Sequence, residues 1–432
     1  MNYGFIKACA VSPALRVADC PYNAQKTIEA MQQAAEDGCQ LTVFPELGLT
    51  GYTCGDLFLQ QPLLDAAEAA LREILKASEA LQLVALVGLP VTVDAKLYNC
   101  AAVICQGALL GLVPKSHIPN YGEFYEKRHY CAAPAGVKEI SFAGQKTLFG
   151  TKLLFRCETM QAFTLAVEIC EDLWAPLPPS TAHALAGATV IANLSASDET
   201  VGKAEYRRAL VSQQSARLLC AYLYADAGHG ESTTDMVFSG HNLIAENGAL
   251  LAESRPFSQA LACTELDLGR LLAERRRNTS FEPVTDGYET VSFHLPLREI
   301  PLTRYISPTP FVPADGGARA ERCELILQMQ ADGLAKRIEH AHAKTAVIGI
   351  SGGKDSLLTL TALARLRAFY PKPFRVEAIT LETGMPGMDF SPVADYCAAL
   401  DVPYTRISVP VYDIVFNERK EKNPCSLCAK LR

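Results

Sequence analysis

Apolar positions over the first 257 residues fall into short runs of β character separated by longer stretches with helical spacing. Residues 5–11 read as a strand, 23–37 as a helix with Ile28, Met31 and Ala35 on one face, and 41–44 as a buried strand stopped by Pro45. A helix is predicted over 65–81, followed by strands at 83–89, 98–105 and 108–113. The alternation repeats: strands at 163–169 and 189–194, a helix over 203–219 with Leu210, Ala216 and Leu219 inward, then strands at 221–225 and 237–245. Between 295 and 319 the pattern breaks into prolines and a Gly316-Gly317 pair, which can bury little and read as a linker. Beyond it come a helix over 321–342, a strand at 345–350, a glycine-rich turn, a helix over 357–369, and a strand, helix and strand at 375–381, 393–400 and 404–409.

This alternation predicts an α/β protein of two domains, divided as 1–275, a connecting segment 276–320, and 321–432. The second is small for a doubly wound domain and reads as a truncated Rossmann-like parallel sheet. Composition agrees with a soluble enzyme: 49% hydrophobic and 20% charged residues in 432, with a net charge of −7 that gives no general pull towards nucleic acid or anionic membrane. No apolar run reaches the length of a membrane span. Fifteen scattered cysteines, without a signal-like N-terminus, point to reducing cytoplasm and free thiols.

The chemistry collects at strand exits. Glu46 follows the strand stopped by Pro45, Lys115 follows the one stopped by Pro114, Cys170 follows 163–169, and Ser197 follows 189–194. A buried cysteine alone is usually an apolar filler. A cysteine attacking an amide, however, needs a base and a positive donor for the oxyanion, and Glu46 and Lys115 have those chemistries. His117 lies near Lys115 in sequence but reads as structural.

Three segments carry a resemblance: Phe44-Pro45-Glu46-Leu47-Gly48-Leu49-Thr50-Gly51-Tyr52, the run from Pro114 to Glu126, and Glu168-Ile169-Cys170-Glu171-Asp172. They resemble the signature blocks of the nitrilase superfamily, and more closely the glutaminase domain of the glutamine-dependent NAD synthetases. The resemblance implies an α-β-β-α sandwich in which Cys170 attacks the amide of glutamine, Glu46 takes the thiol proton and Lys115 stabilises the oxyanion. It assigns Glu123 as a fourth, positioning glutamate. It also implies contacts to glutamine from Tyr121, Ser197 and Lys203, with Glu171 meeting the substrate amino group. Lysine at position 203 departs from the arginine frequent in the family and cannot reproduce its bidentate fork. Tyr121 and Phe124 also read as packing aromatics.

The run Gly349-Ile350-Ser351-Gly352-Gly353-Lys354-Asp355-Ser356 lacks Walker spacing, but its glycines let backbone N–H groups approach an anion at a helix N-terminus. It resembles the loop of the ATP pyrophosphatases. In the NAD synthetases such a domain uses ATP, with Mg2+ the expected partner of its phosphates, to adenylate nicotinic acid adenine dinucleotide before ammonia displaces AMP. Such proteins assemble as homo-oligomers. From about Lys354 the chain looks more like tRNA 2-thiocytidine thiolation enzymes, with Cys425 and Cys428 as candidate metal ligands. The change of resemblance at Ser-Gly-Gly points to a hybrid or shortened chain. Three functions follow: a glutamine-hydrolysing NAD synthetase, an amidase with a ligase remnant, and an RNA-binding C-terminal module.

Overall fold

The structure is a computed structural model, and it describes residues 4–384 and 387–418. Cys425 and Cys428 lie outside the described residues. The chain divides into two compact units, 1–305 and 306–432.

The first unit holds two sheets. Eight strands form one, in the order Ala262–Asp267, Phe5–Ala10, Leu41–Val43, Val84–Val93, Lys96–Cys105, Ala108–Pro114, Gln145–Phe149 and Lys138–Phe142. Seven form the other: Ala249–Glu253, Leu243–Glu246, Ala221–Asp226, Val190–Ser195, Thr164–Ile169, Leu153–Cys157 and Glu289–Phe293. Side chains alternate across each strand, and the apolar clusters show what each face meets. Ile6, Leu86, Val103, Leu165, Val167 and Leu223 share one buried cluster between the sheets. Cys9, Val87 and Leu89 turn the other way, onto Met31 of the helix Cys20–Glu36 and Leu71 and Ile74 of the helix Gln61–Ser78. On the far side Ile191 and Tyr222 pack with Ala184 and Val211 of the helices Pro179–Leu185 and Lys203–Leu218. The result is an α-β-β-α sandwich, whose strands are apolar on both faces because both are covered.

Several elements differ from expectation. Residues 276–305 are not a connecting segment: Glu289–Phe293 pairs in parallel with Leu153–Cys157, and Arg304 grips Glu246 at 2.9 and 3.0 Å. Residues 237–242 are irregular apart from an isolated bridge between Phe238 and Asp198, and the long strand expected there joins the sheet only from Leu243. The strand 289–293 is mostly exposed, so its apolar signal is weak. The expectation of free thiols fails at one place, where Cys9 and Cys263 form a disulfide. Antiparallel pairing sets them directly opposite, with Cα atoms 4.3 Å apart, although 254 positions separate them in sequence.

The second unit has a three-stranded parallel sheet, ordered Thr345–Gly349, Arg375–Glu382, Tyr404–Ser408. Its α-helices among the described residues are Gly316–Ala341, Lys354–Phe369 and Ser391–Ala399, and a π-helical turn follows at Asp413–Glu418. The first starts inside the expected linker, because the Asp315 side chain caps it by accepting from the Ala318 N–H at 2.7 Å. Ala331, Leu360, Leu363, Leu366, Val376, Ala378 and Cys397 form the core. Among the described residues, no helix is long and apolar enough to cross a membrane.

Candidate active site

The strand Thr164–Ile169 ends at Cys170, whose backbone takes φ 43° and ψ −100°. A non-glycine residue there is strained and persists only when its surroundings fix it. Here the Cys170 N–H is held by the Leu194 carbonyl and by Asn193 Oδ1, both at 3.0 Å. Asn193 is itself tied to Tyr222, which donates to the buried Glu168. The short helix Glu171–Trp174 follows, and Asp172 turns back to accept N–H groups from Ile169, Ser116 and His117 at 3.0, 3.1 and 2.7 Å. One carboxylate thus ties the loop after Lys115 to the strand end carrying Cys170. His117 rests on the same group, Nδ1 to Oδ1 at 3.1 Å, which raises its pKa.

Lys115 is fully buried and donates to Glu46 Oε1 and Glu126 Oε1, each at 2.6 Å. Burial disfavours its charge, but the two carboxylates outweigh this and hold its pKa well above the ordinary lysine range. Glu46 also accepts from Asn99 Nδ2 at 2.6 Å and from the Ala196 N–H at 2.9 Å. Burial pushes its pKa up to about 7, with Lys115 opposing and Glu126 adding to the rise. Cys170 is buried among these groups, and its thiol is raised well above the usual range, first by burial and then by the charge of Glu46. The resting pair is therefore a protonated thiol beside a carboxylate that can take a proton near neutrality.

The second acid on Lys115 is Glu126, not the Glu123 that the resemblance assigned. Gly122 at φ +56° and the Phe124 N–H to Tyr121 carbonyl bond at 3.0 Å turn the chain, leaving Glu123 half-buried. Glu126 then opens a short helical turn pointing inward, where it takes the Lys115 bond and one from Tyr52 Oη at 2.8 Å. Glu123 lines a cavity of about 210 Å³ with Tyr52, Phe58, Tyr130 and Glu126. Eleven positions separate Lys115 from the acid that meets it, a spacing set by the turn and invisible to strand periodicity.

The residues expected to contact glutamine find partners of their own. Tyr121 Oη donates to both Glu171 oxygens at 3.0 Å, and both residues line a cleft of about 710 Å³ with Trp174 and His117. Lys203 pairs with Asp198, and its Nζ stands 5.5 Å from the Trp174 ring and 5.8 Å from that of Phe124. As the first residue of its helix Lys203 meets the positive end of the dipole, a cost that Asp198 offsets. Ser197 is buried; its N–H donates to Asp226 Oδ1 at 2.8 Å and its Oγ accepts from Arg207 at 3.4 Å. Arg207, fully buried, also bonds Glu199 at 2.9 Å and His241 at 2.8 Å. Sequence reasoning missed Asn99, Asp172, Asn193, Arg207 and Asp226. Two of these had a local signal: Asp172 stands in the block around Cys170, and Arg207 lies one helical turn from Lys203.

In the second unit, Ser351-Gly352-Gly353 joins the strand Thr345–Gly349 to the helix Lys354–Phe369. Gly352 takes φ +83°, open to glycine at little cost, and no side chain caps the helix at Gly353. The loop is exposed and bonded to itself: Ser356 Oγ donates to the Gly353 carbonyl at 2.9 Å, and the Gly353 N–H donates to Ser351 Oγ at 3.3 Å. A glycine turn at a helix N-terminus could hold a phosphate through its N–H groups, and Asp355 lies in the first helical turn, where a carboxylate could meet a cation.

A four-layer sandwich with a strained cysteine beside a carboxylate–lysine–carboxylate row carries the groups that a cysteine-dependent carbon–nitrogen hydrolase needs. The model of one family, Carbon-nitrogen hydrolase, matches residues 7–276, and the chain belongs to that family. It is 42% identical over 366 residues to the glutamine-dependent NAD(+) synthetase of Mycobacterium tuberculosis (strain ATCC 25618 / H37Rv), covering 82% of this chain and 54% of that protein. With the enzyme of the same description from Mycobacterium leprae (strain TN) it shares 37% over 421 residues, covering 94% of this chain and 62% of the relative. That match runs past the Ser-Gly-Gly loop, so likeness to the synthetases continues where the thiolation-enzyme resemblance was expected to take over. In fold, a crystal structure of a glutamine-dependent NAD(+) synthetase from Cytophaga hutchinsonii matches with a TM-score of 0.55 at 20% identity, covering 95% of this chain and 67% of that one. The chain spans little more than half the length of the curated relatives it matches.

Proposed function

We propose that the first unit hydrolyses the side-chain amide of glutamine and that its ammonia serves ATP-dependent amidation of nicotinic acid adenine dinucleotide to NAD. The observation that carries this reading is the buried Lys115 ammonium between Glu46 and Glu126, beside the elbow that presents Cys170. Glu46 takes the proton of the Cys170 thiol as sulfur bonds to the amide carbon, and Lys115 donates to the oxygen as it gains charge. Collapse of that intermediate expels ammonia, which takes its proton back from Glu46. Water, deprotonated by Glu46, then opens the thioester and releases glutamate. Glu126 keeps the ammonium oriented and charged. Tyr121, Glu171, Ser197 and Lys203 bind glutamine, with Lys203 on the substrate carboxylate and Glu171 on its amino group.

In the second unit Gly349 to Ser356 receive the phosphates of ATP, accompanied by Mg2+, to activate the acid that ammonia attacks. The working protein is a cytoplasmic homo-oligomer. A second reading is glutamine hydrolysis without ligation, which the buried Lys115 between Glu46 and Glu126 supports by itself. The deciding experiment supplies glutamine, ATP and nicotinic acid adenine dinucleotide and measures glutamate and NAD separately. Both products support the synthetase, and glutamate alone supports the hydrolase. No glutamate overturns the amidase reading itself.

A further inference from the structure

Away from the catalytic row, the sulfurs of Cys9, Cys39 and Cys263 lie within 4.8 Å of one another. They come from three segments. Cys263 belongs to the edge strand Ala262–Asp267, Cys9 to the neighbouring strand Phe5–Ala10, and Cys39 to the turn between the helix Cys20–Glu36 and the strand Leu41–Val43. Cys9 and Cys263 are joined, and Cys39 Sγ stands 3.8 Å from Cys263 Sγ. The turn is held from several sides: the Cys39 N–H donates to the Ala34 carbonyl at 2.8 Å, the Gln40 N–H to the Lys7 carbonyl at 2.8 Å, and Arg298 donates to the carbonyls of Gly38 and Cys39 at 2.7 and 3.1 Å.

Apolar filling accounts for one buried thiol but gives no reason for three to converge on one point. A three-coordinate ion with sulfur ligands at about 2.3 Å sets the sulfurs about 3.4 to 4 Å apart, closer when the site is pyramidal and wider when it is planar. The Cys39 to Cys263 separation already meets this, and opening the disulfide lets the third sulfur move to the same spacing. Thiolates select soft ions over magnesium or calcium. Among the described residues no fourth histidine, cysteine or carboxylate joins the group, so three-fold rather than tetrahedral coordination suits it. Cys263, half-buried on the edge strand, gives the route in, while Cys9 and Cys39 are fully buried.

We propose that Cys9, Cys39 and Cys263, once reduced, form a three-sulfur site for a thiophilic three-coordinate ion, and that the Cys9–Cys263 disulfide is its closed form. A phosphine opens it: the disulfide, phosphine and water give two thiols and the phosphine oxide. Arsenous acid then loads it: three S–H bonds and three As–O bonds break, three As–S bonds form, and three waters leave with arsenic still trivalent.

The test uses the full chain in a Cys425→Ser/Cys428→Ser background, titrated with arsenous acid before and after phosphine reduction and followed by the near-ultraviolet absorbance of As–S bonds. One equivalent is expected to bind after reduction and none at this site before it. Cys39→Ala is expected to weaken binding at least about tenfold. Equal uptake by the unreduced chain, or binding within about twofold of the parent in Cys39→Ala, overturns the proposal. If Cys39→Ala fails to fold, the reduced and unreduced forms of the one sequence still decide.

Discussion

The two units carry polar groups in opposite ways. In the first, Glu46, Lys115, Glu126 and Asp172 are withdrawn from water, and each is bonded to groups from other segments of the chain. In the second, the Ser351 to Ser356 turn is exposed, and its hydrogen bonds are internal to it. The difference follows from what each proposed reaction asks of the protein. Attack by a thiol needs charges fixed in a low-dielectric setting before the substrate arrives, and that requires buried partners. Phosphate capture relies on backbone N–H groups, while the ligand itself brings the charge.

The largest effect should come from the nucleophile. Cys170→Ala is expected to lower glutamine hydrolysis on the order of 10⁴-fold or more, measured as glutamate release, with ammonia-supported ATP turnover kept. Glutamate release at the parental rate would remove Cys170 from its role. Next, Glu126→Gln should cost roughly 10² to 10³-fold, because it strips a partner from a buried ammonium, while Glu123→Gln should stay within about threefold. The reverse order would restore the assignment made from sequence.

For the exposed loop, Asp355→Ala should reduce ATP-dependent turnover about 10²-fold and leave glutamate release unchanged. A matching loss of glutamate release would show that the two kinds of site are not separable in this way. A pH series sharpens the buried side. Glu46 acts as base only when deprotonated, so kcat/KM for glutamine should rise about tenfold per pH unit below its pKa of about 7 and level off above it. Folding stability should run the other way. Native Glu46 keeps its proton to about 7 whereas the unfolded group loses it near 4.5, so its contribution is full below 4.5 and is lost as pH rises through about 7. Thermal melts across that range check the sign. The smallest effect is expected at Asp226→Asn, which loosens the Arg207 and Ser197 support: KM for glutamine should rise about tenfold with kcat nearly unchanged. A fall in kcat alone would place Asp226 in the chemistry instead.

Cys170, Glu46 and Lys115 were legible because each ends an apolar run, and a strand end is a place that sequence alone marks. The same logic located the glycine turn after 345–350. It failed at Glu123 and Glu126, which sit in an irregular turn with no period to read. It also placed the linker too early, since the strand Glu289–Phe293 is short and largely exposed. The free-thiol expectation failed at Cys9 and Cys263 for a related reason: their pairing depends on strand register across nearly the whole first unit.

By itself, then, the sequence determined many of the strands and helices, though not those between 138 and 157 or between 249 and 293, and the residue types waiting at its strand ends. These are local properties, written in periodicity and in the stops imposed by proline and glycine. Only the tertiary structure decided which acid meets Lys115, that Asn193 and Asp172 hold the elbow of Cys170, and that three cysteines from distant segments share one point. Those outcomes depend on how two sheets close on each other, and the contacts that fix that closure are separated by tens to hundreds of residues.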